Sequence, residues 1–467
     1  MQNEFDIAVI GGGSGGYAAA RTGAAAGKKV VVIDGAEELA GLCILRGCMP
    51  SKTLIETANR NLAIREAGEF GIEVPRGKVD TKKVIARKRR LIGEFQEYRE
   101  EQLTDGRFEL IRGSAKFLDA KTLEITLREG GDKRTIKAKT TIIATGSTIF
   151  VPEIEGLEEA GFLDSDDVLD DENTPESIIV LGGGAIALEL AHYYEAIGCE
   201  VTVIQRSAHL LTGMDHDVAD ELEAALTSRT MKVFCGTKLK KVMRENGKKV
   251  VVFEHEGEEK KVAAHEILCA LGRHANSAGL DCEKAGIELR KDKVIVENSM
   301  QTTAANIFAA GDVCGPFEIV HLAIEQGEMA ARNLVKFLNG EGDSEKMDYR
   351  LVLYGIFTHP QVAYVGMTEI EAAEKKRAVL VEKYPFNDHG KSMVHGSKHG
   401  FVKLIADAET REILGGAVVG PEGVELIHEI VVAMAFHATA GQLAKIPHYH
   451  PTLSEIWTYP AEELAEE

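Results

Sequence analysis

Short apolar runs joined by small-residue helical stretches recur twice along this chain. The first repeat predicts a buried strand over Asp6–Ile10, a helix over Tyr17–Ala26 and a strand over Lys29–Ile33 that ends at Asp34. The second predicts a strand over Ser177–Leu181, a helix over Ile186–Ile197 and a strand over Val201–Ile204. Strands this apolar, connected by helices, belong to parallel sheets covered on both faces. Between the repeats, Leu123–Leu127 and Thr140–Ala144 predict further strands, and apolar runs end again near Cys269 and Ala310. The fold class is α/β, with two Rossmann-like dinucleotide-binding domains.

Each repeat places glycines between its first strand and its helix. In the first, Gly11 makes a tight turn, Gly13 lets backbone approach a pyrophosphate and Gly16 lets helix and strand pack, while the helix N-terminus stabilises the anion. Asp34, at the end of the next strand, is placed to accept from ribose hydroxyls. The second repeat carries Gly182 and Gly184, but Ala187 replaces the third glycine and Gln205-Arg206 replaces the acid. Loss of the carboxylate removes repulsion toward a 2′-phosphate, and Arg206 offers that phosphate a charge-assisted partner. This favours NADP(H) over NAD(H). The alternative is a solvated loop arginine and weak selectivity. Further glycines at 146, 272 and 311 close strand-like runs, where backbone can come close to a ligand.

Composition narrows the partners. The chain has 467 residues, enough for about three domains, with 44% hydrophobic residues to fill them. Its formal net charge of −20 disfavours nucleic acid and anionic membranes. The most apolar window, around Ile178–Ala191, contains three glycines and Glu189, and nothing in it reads as membrane-spanning. The acidic N-terminus lacks signal-peptide features, and Cys199, Cys235, Cys269, Cys282 and Cys314 are scattered like small core residues of a reducing, cytoplasmic compartment. No metal site is expected.

Cys43 and Cys48 differ from those five. Five residues of helix rise about 7.5 Å, beyond the roughly 7 Å Cα limit for a disulfide, so a bond between them needs an irregular turn, for which Gly47 and Pro50 are available. Spacing alone favours buried apolar cysteines or half a metal site. Their place directly after the first nucleotide unit makes them a candidate redox pair.

The chain resembles the FAD-dependent pyridine nucleotide-disulfide oxidoreductases along essentially its whole length, and is most similar to their dihydrolipoamide dehydrogenase branch. The resemblance rests on Gly11–Gly16, the cysteine segment with Pro50-Ser-Lys52, Ala144-Thr-Gly146, Gly182–Glu189, Ala270-Leu-Gly-Arg273, Ala310-Gly-Asp312, Phe357-Thr-His-Pro360 and His450-Pro-Thr-Leu-Ser-Glu455. It implies a FAD-binding domain in two parts, 1–147 and 276–347, an NAD(P)-binding domain over 148–275, and a C-terminal α+β dimerisation domain over 348–467. The last would be an antiparallel sheet with helices such as Glu422–Thr439.

The same resemblance implies roles. FAD would lie on Gly11, Gly13, Ser14, Gly16, Asp34, Ala115, Thr145, Gly146, Gly311, Asp312 and Ala323, with Asp34 on the adenosine ribose and Asp312 on the ribityl chain. Lys52 and Glu189 would pair beside the flavin, since an unpaired charge in such surroundings is costly. NAD(P) would lie on Gly182, Gly184, Ala187, Gln205, Arg206, Gly272 and Arg273. Cys48 would be the thiol next to the flavin, its pKa depressed by Lys52 and a helix N-terminus, and Cys43 the one that exchanges with substrate. His450, oriented by Glu455, would act as acid and base across a homodimer interface, while His448 and His359 are structural.

Substrate features are mixed. Pro50-Ser-Lys52, His321 and the terminal His-Pro-Thr-Leu-Ser-Glu fit the dihydrolipoyl branch and a lipoyl carrier protein. Ser14, Arg21, Ala187 and Gln205-Arg206 resemble NADPH-using, glutathione reductase-like members. Ala185 stands where many members carry a tyrosine, as in mercuric reductases, although those should end in a cysteine pair and this chain ends Glu-Glu-Leu-Ala-Glu-Glu. Leu42, Leu45 and Arg46 depart from the usual Gly-Thr-Cys-Leu-Asn-Val-Gly-Cys, an expected change in redox potential and partner choice. A FAD-binding subunit with little turnover is the remaining alternative.

Overall fold

In the computed structural model, which describes residues 3–75 and 77–466, the chain divides into two compact units. The first comprises residues up to Ser51, Ala86–Phe150 and Arg273–Asp348. Its parallel layer runs Ile307–Ala309, Lys133–Ile143, Glu4–Ile10, Val30–Asp34 and Glu109–Asp119. Strand Thr122–Leu127 joins the outer halves of the two long strands by antiparallel pairing. That pairing carries Lys133–Ile143 well beyond the expected Thr140–Ala144, because its first half alternates polar and apolar residues in the manner of a sheet wet on one face.

Helix Ser14–Ala25 covers this layer and packs against helix Val320–Asn339. A Cβ at Gly327 would overlap the Gly15 carbonyl oxygen, and one at Gly15 would come within 2.8 Å of the Ala323 oxygen, so the two backbones touch. Ala323, expected at the cofactor, is therefore also the packing partner of the first glycine loop.

The second unit comprises Lys52–Ile85, Val151–Gly272 and the chain from Tyr349 onward. It contains a parallel sheet in the order Glu266–Cys269, Ser177–Leu181, Glu200–Ile204, Lys232–Phe234, with helix Ala185–Ala196 after the second of these strands. It also holds an antiparallel meander, Lys238–Glu245 to Glu258–Ala264, and a five-stranded antiparallel sheet ordered Leu353–Ile356, Gln361–Gly366, Ile413–Gly420, Phe401–Asp407, Val379–Pro385. One core joins Val180, Leu190 and Tyr194 of the parallel layer to Val362 and Val419 of the antiparallel one. Helix Gly423–Ala435 stops short of the expected Thr439, since His437 takes a left-handed conformation just beyond it. No helix among the described residues is long and apolar enough to cross a membrane.

Lys403 ties this second unit together. It is completely buried, and its ammonium donates to Asp215 at 2.7 Å, Asp217 at 2.8 Å and Glu369 at 2.8 Å. Burial opposes the charge, but the three carboxylates outweigh it and hold the Lys403 pKa above the ordinary lysine value. The only acidic trio among the described residues that converges tightly enough for a metal is thus occupied by a lysine ammonium. Removing it should leave the buried Asp215 carboxylate without its cation. Lys403→Met is expected to cost about 3–5 kcal/mol in urea unfolding at pH 7. The deficit should shrink toward pH 4, where carboxylates take up protons.

Candidate active site

Three adjacent parallel strands of the first unit end side by side at Ile10, Ile143 and Ala309, and a left-handed glycine follows each, Gly11, Gly146 and Gly311. Ligands of open α/β sheets bind at such carboxyl ends. A Cβ at Gly11 would overlap the Ala144 carbonyl oxygen, and one at Gly16 the Gly11 oxygen, so the loop admits no larger residue. Ser14 opens the helix, whose N-terminus has no side-chain cap and no acid in its first turn. Its N–H groups are left for an anion.

Asp34 is buried and accepts from the Gly12 N–H at 2.7 Å and the Ala36 N–H at 2.8 Å. It braces the loop with one lone pair of each oxygen, and a carboxylate has others for further donors. Around the other strand ends the polar groups form a chain. Arg273 donates from Nε to the Ser147 hydroxyl at 2.8 Å, and Ser147 donates to Asp312 at 2.6 Å. Thr145 donates to the Asn276 carbonyl at 2.6 Å. Gln326, fully buried, accepts from the Gly311 N–H at 2.8 Å. Ser147, Asn276 and Gln326 carried no sequence signal of their own. Ala115 lies in a strand, paired with Ile125 and buried in the core.

The cysteine segment starts on the same loop. A Cβ at Gly41 would lie 2.5 Å from the Gly13 Cα, so two glycines bring the cysteine segment against the first glycine loop. Cys43 sits in the short helix Leu42–Leu45 and Cys48 opens helix Cys48–Glu66, and both are half-buried. Gly47 makes the break between the helices, where a Cβ would stand 3.2 Å from the Cys43 Cα. Pro50 belongs to the first turn of the following helix, where proline is tolerated, and takes no part in the irregular turn. Arg46 is exposed and pairs with Glu38 at 3.2 Å, so its charge is compensated.

Lys52 follows Cys48 by one helical turn. Its ammonium donates to both oxygens of Glu189, at 2.9 and 2.7 Å. The Glu189 side chain is only 6% exposed and that of Lys52 31%. Phe357 completes the group, with its N–H donating to Glu189 at 3.0 Å and its ring 4.6 Å from the ammonium. Farther along the same helices, Asn59 meets His192 at 2.8 Å, Asn61 donates to the Ala196 carbonyl at 2.7 Å and Arg65 pairs with Glu195 at 2.8 Å. Burial, reinforced by the Arg229 charge, keeps His192 neutral and lowers the His359 pKa to about 4. His359 is structural by this geometry.

The second glycine loop repeats the first with one relaxation. A Cβ at Gly182 would overlap the Ala270 oxygen, while Ala187 fits in the position of the third glycine, buried against the turn. Gly184, Ala185 and Ile186 are exposed at another uncapped helix N-terminus. Gln205 is folded against Gly183 and accepts from the Arg206 N–H at 3.1 Å. Arg206 itself is exposed, and nothing within 4 Å of Gly272 fills the space a Cβ would take. Both loops fit a dinucleotide.

His450 and Glu455 come together as expected, with Nδ1 to Oε2 at 3.0 Å. The imidazole is 80% exposed, whereas the carboxylate is 12% exposed and held in place. His448 instead pairs with Glu429 at 2.6 Å. His389, 66 residues before Glu455 and joined to it at 3.2 Å, escaped sequence reasoning because nothing along the chain links the two positions.

Comparison with known proteins supplies the family. Residues 5–327 match the pyridine nucleotide-disulphide oxidoreductases and residues 352–461 the dimerisation domain of the same family. The chain belongs to that family of FAD- and pyridine nucleotide-binding oxidoreductases. It is 32% identical over 466 residues to a dihydrolipoyl dehydrogenase of Bacillus subtilis (strain 168), covering 97% of each chain. It is 31% identical to a mercuric reductase of Bacillus cereus over 89% of this chain and 65% of that one. The HOCl-induced flavoprotein disulfide reductase RclA from Escherichia coli, solved as a Cu(II) complex, superimposes with a TM-score of 0.86 at 27% identity, covering 99% of this chain and 100% of that one.

The two loops predict unequal tolerance. Gly16→Ala should destabilise the first unit by about 1–3 kcal/mol, as overpacking does. Ala187→Gly should cost no more than about 1 kcal/mol. Urea midpoints of the two variants check the order.

Proposed function

We propose that this protein is a homodimeric FAD enzyme that moves electron pairs between a dithiol or disulfide and NAD(P) through Cys43 and Cys48, with dihydrolipoyl groups on a carrier protein as substrate. The observation that carries the reading is the Lys52–Glu189 pair, one helical turn from Cys48 and nearly closed to water on the carboxylate side. Identity of 32% over nearly the full length of a dihydrolipoyl dehydrogenase, and the His450–Glu455 contact, support the substrate class. Val432, Phe436, Ile446 and Tyr449, large apolar residues left exposed within the dimerisation-domain match, support the homodimer.

FAD would lie on the first glycine loop, Asp34, Ala115, Thr145, the Gly311–Asp312 turn and Ala323, and a nicotinamide dinucleotide on the second loop, with Gln205, Arg206, Gly272 and Arg273 beyond it. A bound flavin supplies two-electron transfer between a thiolate and a nicotinamide. The protein does the sulfur chemistry. The partner subunit's His450 takes a proton at Nε2 from a substrate thiol, and the thiolate attacks Cys43 Sγ in the Cys43–Cys48 disulfide. That S–S bond breaks and Cys48 leaves as a thiolate at the start of its helix, where the N–H groups and the Lys52 charge favour an anion. The second substrate thiol displaces Cys43, so the substrate becomes a disulfide and the cysteines a dithiol. Reduction of a disulfide runs the same steps backward.

Cys43→Ser should keep long-wavelength absorbance from the Cys48 thiolate and lose dihydrolipoamide turnover by several orders of magnitude, while Cys48→Ser should lose both. Anaerobic NADH titration and steady-state rates measure the two, and unchanged turnover in Cys43→Ser sinks the relay. Oxidised glutathione as a parallel substrate separates the dihydrolipoyl assignment from a glutathione reductase-like one.

For the nicotinamide, the exposed Arg206 and the missing acid support a 2′-phosphate contact. Arg206→Glu should weaken NADPH binding at least about tenfold more than NADH binding, the scale of a lost charge-assisted hydrogen bond. Equal losses, read by flavin-quenching titration, would refute it.

A further inference from the structure

Glu455 lies in the helical turn Ser454–Trp457, and its two oxygens are divided between two histidines. Oε2 faces His450 Nδ1 at 3.0 Å, and Oε1 faces His389 Nε2 at 3.2 Å. His389 comes from a separate stretch, just before the short helix Gly390–Val394, and is completely buried. Its other nitrogen, Nδ1, lies 2.7 Å from the hydroxyl of Ser392, which is also completely buried.

The inventory of protons fixes every role. An ionised carboxylate only accepts, so His389 donates from Nε2 and accepts at Nδ1, and the Ser392 hydroxyl must be the donor to it. His450 then donates from Nδ1 and leaves its Nε2 lone pair outward, the atom a base needs. Burial lowers the proton affinity of His389, with Glu455 offsetting this only in part, so the ring stays neutral at pH 7. The titratable groups facing it are Glu455 and His450 on one side, and on the other Tyr459, whose ring edge lies against it and which stacks on Tyr384 beside Asp388.

We propose that His389, held in one tautomer by Ser392, is a positioning residue for the acid–base pair. Its N–H occupies one oxygen of Glu455, which fixes the rotation of the carboxylate and leaves the other oxygen for His450. By sharing the anion it also makes Glu455 the weaker acceptor for the His450 N–H. The geometry stands alone, and only the rate readout below rests on the proposed dithiol chemistry.

The test is titration of His450 in the full flavoprotein by NMR of 13C-labelled histidine Cε1, with His450→Gln to assign the resonance. In His389→Leu the His450 pKa should rise by about half a unit to one unit, since the released carboxylate binds its one remaining donor more strongly. Ser392→Ala should move it the same way by less, and His389→Gln, whose amide can donate to Oε1, should restore it to within a few tenths of a unit. The acid limb of kcat/KM for the dithiol should follow the same order, with KM for the nicotinamide unchanged. An unmoved pKa in both His389→Leu and Ser392→Ala, even with lowered thermal stability, overturns the proposal. If His389→Leu does not fold, Ser392→Ala with its unmoved or shifted resonance decides alone. A shifted pKa in an enzyme that turns over no thiol keeps the positioning role and removes the proposed function.

Discussion

Contact between backbones, with no space for a single methyl group, is the constraint on which the first unit rests. Gly11 lies against Ala144, Gly16 against Gly11, Gly15 against Ala323 and Gly327, and Gly41 against Gly13. Each contact lets a strand end, a turn and a helix start share one small volume, and leaves N–H groups of an uncapped helix pointing at the same place. The cysteine segment enters through the last of these contacts, so the position of Cys43 follows from the shape of the first glycine loop. The second loop obeys the same rule less strictly, because the Gly182 turn leaves Ala187 ordinary van der Waals room.

Buried charge organises the second unit. Lys52 with Glu189, Lys403 with its three carboxylates, and Glu455 between two histidines each place an ion where water is scarce, and each is satisfied by hydrogen bonds from more than one direction. Burial makes a broken pair far more costly than an intact pair is stabilising, so these groups fix geometry better than they raise stability. Lys52–Glu189 does this at the near end of two helices that Asn61 and Arg65 fasten farther along. The helix that begins with Cys48 is thereby held against helix Ala185–Ala196, which follows the second glycine loop.

The departures in the cysteine segment now have a physical setting. Leu42 and Leu45 are half-buried on the short helix, where they replace hydrogen-bonding side chains with apolar surface. Arg46, which reads from sequence as a charge added to the redox centre, points outward to Glu38.

Sequence alone determined whatever depends on local spacing. Strand, glycine turn and helix are set by neighbours within a dozen residues, so both glycine loops and the ends of their strands were legible, and strand Ser177–Leu181 falls where its apolar run placed it. Helix starts moved where no side-chain cap marks them, by three residues to Ser14 and by one to Ala185. Tertiary structure alone decided which polar groups serve one another over long separations: Ser147 between Arg273 and Asp312, Gln326 under Gly311, Phe357 on Glu189, and His389 behind Glu455. Those pairings arise from burial, which forces every enclosed donor and acceptor to find a partner, and the partner is whichever group the packed chain brings within reach. No periodicity records that choice, because it is made between elements and not along them.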